Sequence, residues 1–259
     1  MVAYSFLNLT LSLSPNLIVE GNTLVFPKML TVHWMDISHE AQFLKPLEPN
    51  SIVLWEDIWY QKPMLVQSRI KSLLGNNQKV LARNSKTVHI NKPILDDFMS
   101  ENHLMGSSTS KYKLGLTYKG VLVAAASFST AKTFRRDNVP FQSVELIRYA
   151  NLSGVNVVGG FSKILQRFIR QYRPDDIMTY ADREWSDGNM YEKLGFQLVE
   201  HTEPQSFWIH SQELIRYYPH RLPAELVTEK VEQQNDFLVS KGYCKIYNMG
   251  NLKYLLKLK

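Results

Sequence analysis

The sequence predicts an α/β (α+β) fold: a mixed central sheet flanked by helices, with extensions before and after it. Three observations predict it. From about residue 86 to 210 the apolar patterns run β-α-β-β-β-α-β-α-β-β, which is a mixed sheet and not a regular βαβ alternation. One strongly amphipathic segment has Ile164, Leu165, Phe168, Ile169 and Tyr172 on a single stripe at helical spacing. Composition is that of an ordinary globular chain. Of 259 residues, 44 % are apolar and 21 % charged, which excludes intrinsic disorder, collagen-like repeats and a disulfide scaffold.

Taken in order, residues 1 to about 50 are short apolar runs broken by Pro15, Pro27, Pro46 and Pro49. No Lys or Arg precedes the hydrophobic amino end, so it reads as folded protein and not as a secretory leader. Ser51–Tyr60, rich in β-branched and aromatic residues, reads as a buried strand, and a helix follows from Met64 to a stop at Gly75. Lys86–Ile90 alternates as a short strand; Pro93 then opens a helical stretch that stops at Gly106. Beyond a serine-rich loop, Lys119-Gly120 is a hairpin turn between two strands, and Ser143–Leu152 is another strand. Gly159-Gly160 leads into the amphipathic helix, which ends before Pro174 because proline has no N–H to give.

Asp176–Arg183 is the next strand. A short helix follows it, capped by Ser186 or Asp187 and stopping at Gly195. Phe196–His201 and Ser206–His210 are strands, residues 211–240 read as mostly helical, and the last seventeen residues alternate like an edge strand around Gly250-Asn251. The expected organisation is therefore an extension over 1–85, a domain over 86–210, and a helical extension over 211–259 ending in a short strand.

Charge is unevenly placed. Lys132, Arg135, Arg136, Arg148, Lys163, Arg167, Arg170 and Arg173 are opposed between residues 132 and 173 only by Asp137 and Glu145, a local +6 equal to the net charge of the chain. From Lys241 onward five lysines occur with no acid. Such clustering suits a phosphate-bearing ligand, either a nucleotide cofactor or a nucleic-acid backbone; a solvated basic face is the alternative. A single cysteine, Cys244, cannot close an intramolecular disulfide, which points to a reducing, cytoplasmic setting. No Cys-x-x-Cys or close His pair offers a metal site, and no apolar run is long enough to span a membrane. The oligomeric state leaves no signature in the sequence.

The stretches ELIRYANLSGVNVVGGFSKILQRFI and MTYADREWSDGNMYEKLGF resemble the GCN5-related N-acetyltransferase (GNAT) superfamily. That resemblance implies a sheet splayed between two central strands and acyl transfer from acyl-CoA (acetyl-CoA) to an amine. Its Gln/Arg-x-x-Gly-x-Gly/Ala loop overlays on Asn156 to Phe161, so Val158, Gly159, Gly160, Phe161, Ser162 and Lys163 become the cofactor-binding candidates. Two positions depart: Asn156 replaces a longer polar residue, and Phe161 a small one. A glycine-rich turn entering a helix is physically suited to a pyrophosphate, because bare backbone N–H groups and the helix start both favour an anion.

The same resemblance makes Glu145 the general base, Tyr191 the proton donor to the departing thiolate, and His103 a proton-shuttle candidate. Each has a plainer reading, as a strand ion pair, a core aromatic and a helix cap. Arg148, Asp182, Arg183, Trp185, Arg167 and Arg170 are candidates for contact with a small-molecule or nucleic-acid substrate. Arg183 and Trp185 could stack on a base.

A narrower resemblance, carried by ENHLMG, VVGGFSK and YADREWSDGNMYEKLGF, is to phage proteins in which a GNAT-like domain accompanies homing-type endonucleases. It implies that the 1–85 extension is a remnant of a Vsr-like nuclease. It also brings the alternative of a DNA-associated binding or base-modification module without acyl-CoA chemistry. Glu56 and Asp57, read as neighbours on a strand, point to opposite faces and cannot line one metal.

Overall fold

The computed structural model describes residues 2–14, 16–45, 47–136, 138–228 and 233–259. Along the chain run α1 (Tyr4–Leu13), β1 (Ile18–Glu20), β2 (Thr23–Phe26), β3 (Leu30–Met35), β4 (Ala41–Gln42), β5 (Ser51–Trp55), α2 (Glu56–Gln61), α3 (Pro63–Leu73), β6 (Gln78–Leu81) and β7 (Lys86–His89). Next come α4 (Lys92–Asn102), β8 (Tyr112–Tyr118), β9 (Val121–Phe128), β10 (Lys132–Arg136), β11 (Val139–Asn151), β12 (Val155–Val158), α5 (Gly160–Tyr172) and β13 (Asp176–Asp182). The remainder is α6 (Asn189–Glu192), β14 (Gln197–His201), β15 (Ser206–His210), β16 (Arg216–Tyr217), α7 (Gln234–Ser240), β17 (Tyr243–Tyr247) and β18 (Asn251–Lys257).

These elements form two units. The first comprises Met1–Pro63, Asp182–Asp187 and His201–Asn251; the second comprises Met64–Ala181, Gly188–Glu200 and Leu252–Lys259.

The first unit holds two four-stranded sheets, ordered β1-β2-β3-β5 and β16-β15-β17-β4. Leu30, Val32 and Trp34 alternate into its core along β3. Phe6 of α1 stacks on Trp34 and tilts against Trp59, at centroid distances of 5.4 and 4.9 Å. Two expectations are corrected here. The strand predicted over Ser51–Tyr60 ends at Trp55, and Glu56 and Asp57 instead open α2, where two acids suit the positive end of the helix. The mostly helical reading of 211–240 is wrong as well. Pro219 and Pro223 interrupt it, and apart from two single 3₁₀ turns only Gln234–Ser240 is helical among the described residues; 229–232 lie outside them.

The second unit is a mixed, splayed sheet covered by helices. Its order is β14-β18-β13-β11-β9-β8-β7, with β10 folded back on β11 and a separate parallel pair, β12-β6. On one face α5 buries Ile164, Leu165 and Phe168 against Leu114, Phe128, Val144 and Leu146. On the other, α4 buries Leu95, Phe98 and Met99 against Ala125 and Ala150. Lys119 and Gly120 both have positive φ, 51° and 82°, as a tight two-residue hairpin requires. The carboxyl-terminal strand was expected at an edge; it lies between β14 and β13. Its Tyr254 is buried beneath α6, with its ring 5.4 Å from that of Tyr191 and its hydroxyl donating to Glu192.

Candidate functional site

The second unit's site is built where β11 and β13 part. These strands are parallel and pair only over Ser143↔Asp176, Val144↔Ile177, Glu145↔Met178 and Leu146↔Thr179. Past that point both continue, to Asn151 and Asp182, without a shared register. On its other side β11 pairs with β9, and the register slips between Leu146 and Arg148, so that Ile147 is an extra residue. A bulge of this kind bends the strand and releases its backbone groups from the ladder. The bend and the parting coincide.

Thr179 marks the apex. Its hydroxyl donates to the Leu146 carbonyl at 3.0 Å, and the same hydroxyl is hydrogen-bonded to Tyr191 of α6. Burial raises the Tyr191 phenol above its ordinary value, the Thr179 hydrogen bond partly offsetting it. The phenol is therefore neutral and holds a proton to give. Glu145 stands one residue before the apex. Val144 and Leu146 belong to the α5-side core, so strand alternation turns Glu145 to the opposite face.

The start of α5 closes the other end of the gap. Gly159 is left-handed, at φ 75° and ψ 8°. Gly160 has no room for a side chain, because a Cβ there would lie 2.8 Å from the Tyr149 hydroxyl and 2.9 Å from Val157 Cβ. Burial raises Tyr149, and its hydroxyl accepts the Phe161 backbone N–H while donating to Asn151 Oδ1 at 2.8 Å. The Phe161 ring turns inward, 4 % exposed, and packs against Tyr149, Tyr191 and Phe196. Its bulk thus occupies the core, while the first backbone N–H groups of the helix have no carbonyl one turn earlier to bind.

The other sequence candidates fall as follows. Val158 is exposed and Ser162 half-buried at the helix start. Lys163 is turned away from any anion there: its Nζ donates to the carbonyls of Ala82 and Ser85, at 2.8 and 2.5 Å. Arg148 Nη1 donates to the Ile147 carbonyl at 2.8 Å, bracing the bulge. Arg167 and Arg170 lie on the exposed face of α5.

His103 caps α4, and its Nδ1 accepts the Met105 N–H. The neighbouring Asn102 bonds Ser153, beyond the end of β11, while Glu145 lies six residues before that end, roughly 20 Å along a strand. The structure does not bring His103 and Glu145 together. Asp182, Arg183 and Trp185 belong to the first unit. Trp185 is 4 % exposed and Arg183 Nη1 donates to the Met249 carbonyl, so neither offers an open face for stacking on a base.

Sequence reasoning missed Thr179, which carries no motif of its own. It also missed a buried cluster in the first unit. Asp57 accepts both Nε and Nη2 of Arg216, at 2.7 and 2.8 Å. The Trp55 indole donates to Glu184 Oε1 at 2.9 Å. Desolvation pushes Glu184 up to about 8, with Asp182 adding to the rise and Trp55 and Arg216 opposing it. The partners are separated by 159 residues in one case and 129 in the other, too far for any spacing to signal.

No family model and no curated protein matches this sequence. Among solved structures, a GNAT family acetyltransferase from Elizabethkingia anophelis with acetyl-CoA bound is similar at 13 % identity and TM-score 0.41, over 68 % of this chain and 99 % of that one. The ribosomal-protein-S18-alanine N-acetyltransferase from Escherichia coli is similar at 12 % identity and TM-score 0.39, over 68 % and 94 %. Eis1 from Mycobacterium abscessus is similar at 12 % identity and TM-score 0.36; the match spans 49 % of this chain and only 34 % of that one. At such scores function has to be argued from this chain's own geometry.

Proposed function

We propose that the second unit transfers an acyl group from acyl-CoA to an amine. The observation that carries this reading is the parting of β11 and β13 after Leu146↔Thr179, with a buried phenol on one side of the apex and a carboxylate on the other. Acyl-CoA supplies the thioester carbonyl and a thiolate leaving group.

The chain's residues fit it. The gap leaves β11 backbone groups beyond the bulge for a strand-like ligand. The α5 start, with Val158, Gly159, Gly160, Phe161 and Ser162, offers donors and positive potential to a pyrophosphate. The inward turn of the Phe161 ring removes the obstacle its size would otherwise present. Tyr149, whose hydroxyl holds the Phe161 N–H, shares that donor with the ligand.

Glu145 takes the proton that the amine nitrogen gives up as its bond to the carbonyl carbon forms. Tyr191 gives its proton to sulfur as the carbon–sulfur bond breaks, and Thr179 orients the phenol. Such positioned proton transfers contribute roughly 10²- to 10⁴-fold each.

The nucleic-acid alternative keeps the exposed Arg167 and Arg170 of α5 but loses most of the carboxyl-terminal lysines. Of the five carboxyl-terminal lysines, Lys253 is paired with Glu200 and Lys259 with Asp175. Lys241 and Lys245 lie over aromatic rings.

The test is titration calorimetry with acetyl-CoA, followed by thiol release with amine acceptors. Tyr191→Phe should lower kcat by 10²-fold or more with KM little changed. A loss of thermal stability without that kcat effect would make Tyr191 a core aromatic only, and absence of heat at high micromolar acetyl-CoA would end the reading.

A further inference from the structure

Beside Glu145 the second unit has an open pocket of about 380 Å³, lined by Thr109, Ser110, Lys111, Ser129, Thr130 and Lys132. Two ammonium groups and four hydroxyls stand around it, over a floor of largely aliphatic surface. Neither Lys111 nor Lys132 has an acidic partner among the described residues. The pocket is tied to the apex by backbone. Ser129 N–H donates to the Glu145 carbonyl, and Glu145 N–H donates to Ser129 Oγ, both at 2.9 Å. The loop carrying Ser110 and Lys111 is itself pinned, by Lys113 Nζ to the Ser110 carbonyl at 2.8 Å and by Lys111 N–H to the Phe128 carbonyl at 2.9 Å. The pocket therefore adjoins, through Ser129, the backbone of the residue that receives the amine's proton.

We propose that this pocket binds the anionic group of the acceptor, so that the substrate class is a primary amine bearing a phosphate or carboxylate. This rests on the acyl-transfer reading. The amine end lies toward Glu145, and the anion is met by Lys111, Lys132 and the hydroxyls of Thr109 and Thr130. Unpaired ammonium groups beside hydroxyl donors favour an anion over a neutral group, since charge-assisted hydrogen bonds are about twice as strong as neutral ones.

The experiment has two arms. In the first, thiol release from acetyl-CoA is followed with ethanolamine, β-alanine and phosphoethanolamine, which carry a hydroxyl, a carboxylate and a phosphate ester on the same two-carbon tether from the amine. One charged probe should exceed ethanolamine in kcat/KM by roughly 10- to 100-fold, the better one identifying the anion, and Lys111→Met with Lys132→Met should bring that ratio toward one. In the second arm, inorganic phosphate is titrated into the full chain and backbone amide shifts are followed, with no acyl donor present. They should move at 109–111 and 129–132 and stay still in the double variant.

Acetyl transfer at equal rates to all three probes would overturn the proposal, as would phosphate shifts that avoid the pocket. Transfer to none of them together with no calorimetric binding of acetyl-CoA, the phosphate shifts being intact, would refute acyl transfer while leaving the anion site standing.

Discussion

Replacing Glu184 with glutamine should make the first unit more stable at alkaline pH and remove most of its pH dependence. Glu184 is 2 % exposed, and desolvation, with Asp182 beside it, raises its carboxyl from 4.5 to about 8. Below pH 4.5 the group is protonated folded or unfolded and contributes no slope. Between 4.5 and 8 the unfolded chain releases the proton while the folded one keeps it, so stability falls as pH rises, by up to about 1.4 kcal/mol per pH unit. Above 8 both states are ionised and stability on the order of a few kcal/mol has been lost, the opposing pull of Arg216 and Trp55 being already contained in that rise. Glutamine keeps an oxygen for the Trp55 indole and carries no charge to bury.

The assay is urea unfolding at pH 5.5, 7 and 8 followed by tryptophan fluorescence. All five tryptophans, at 34, 55, 59, 185 and 208, lie in the first unit, so the signal reports that unit alone. His33, whose basicity burial lowers, pulls the slope the other way. It is common to both proteins and cancels in their difference. If the parent and Glu184→Gln unfold with the same pH dependence, Glu184 is not a buried neutral acid and the reasoning fails.

Other outcomes follow from the same contacts. Arg216→Met strands the Asp57 carboxylate, which is 2 % exposed, and should cost the first unit about 3–5 kcal/mol, whereas Arg216→Met with Asp57→Leu should recover most of it; urea midpoints decide. Gly188→Ala should destabilise the second unit by about 2–5 kcal/mol, because φ is +81° there and a Cβ would fall 1.9 Å from the Tyr254 hydroxyl; thermal unfolding by circular dichroism measures it. Gly160→Ala should weaken acetyl-CoA binding in calorimetry, and Tyr149→Phe should relieve only part of the effect, since Val157 Cβ at 2.9 Å would crowd a new Cβ almost as closely as the Tyr149 hydroxyl at 2.8 Å.

Much of the second unit is visible in local pattern. The apolar stripe of α5 directly encodes the face it buries, Lys119-Gly120 encodes a turn that only positive φ closes, and Gly159-Gly160 encodes the entry to a helix. Glu145 and Tyr191 were reached through resemblance to a family, and the geometry supplies what resemblance lacked: a hydroxyl, Thr179, joining Tyr191 to the point where the strands separate. The pocket beside Glu145 draws on two loops, 109–111 and 129–132, whose lysines look like ordinary surface charge until the hairpin folds them together.

What the sequence determined by itself is what depends on neighbours three or four residues away: helix faces, turns and the alternation of strands, although the cap expected at Ser186 or Asp187 falls on Gly188, with no side-chain capping hydrogen bond. Pairing across long separations was settled only by the tertiary structure. The Asp57–Arg216 ion pair, the insertion of the last strand between β14 and β13, and the break between β11 and β13 at Leu146 follow from which surfaces bury which. That competition is among free energies of the whole chain, and no local window of residues contains it.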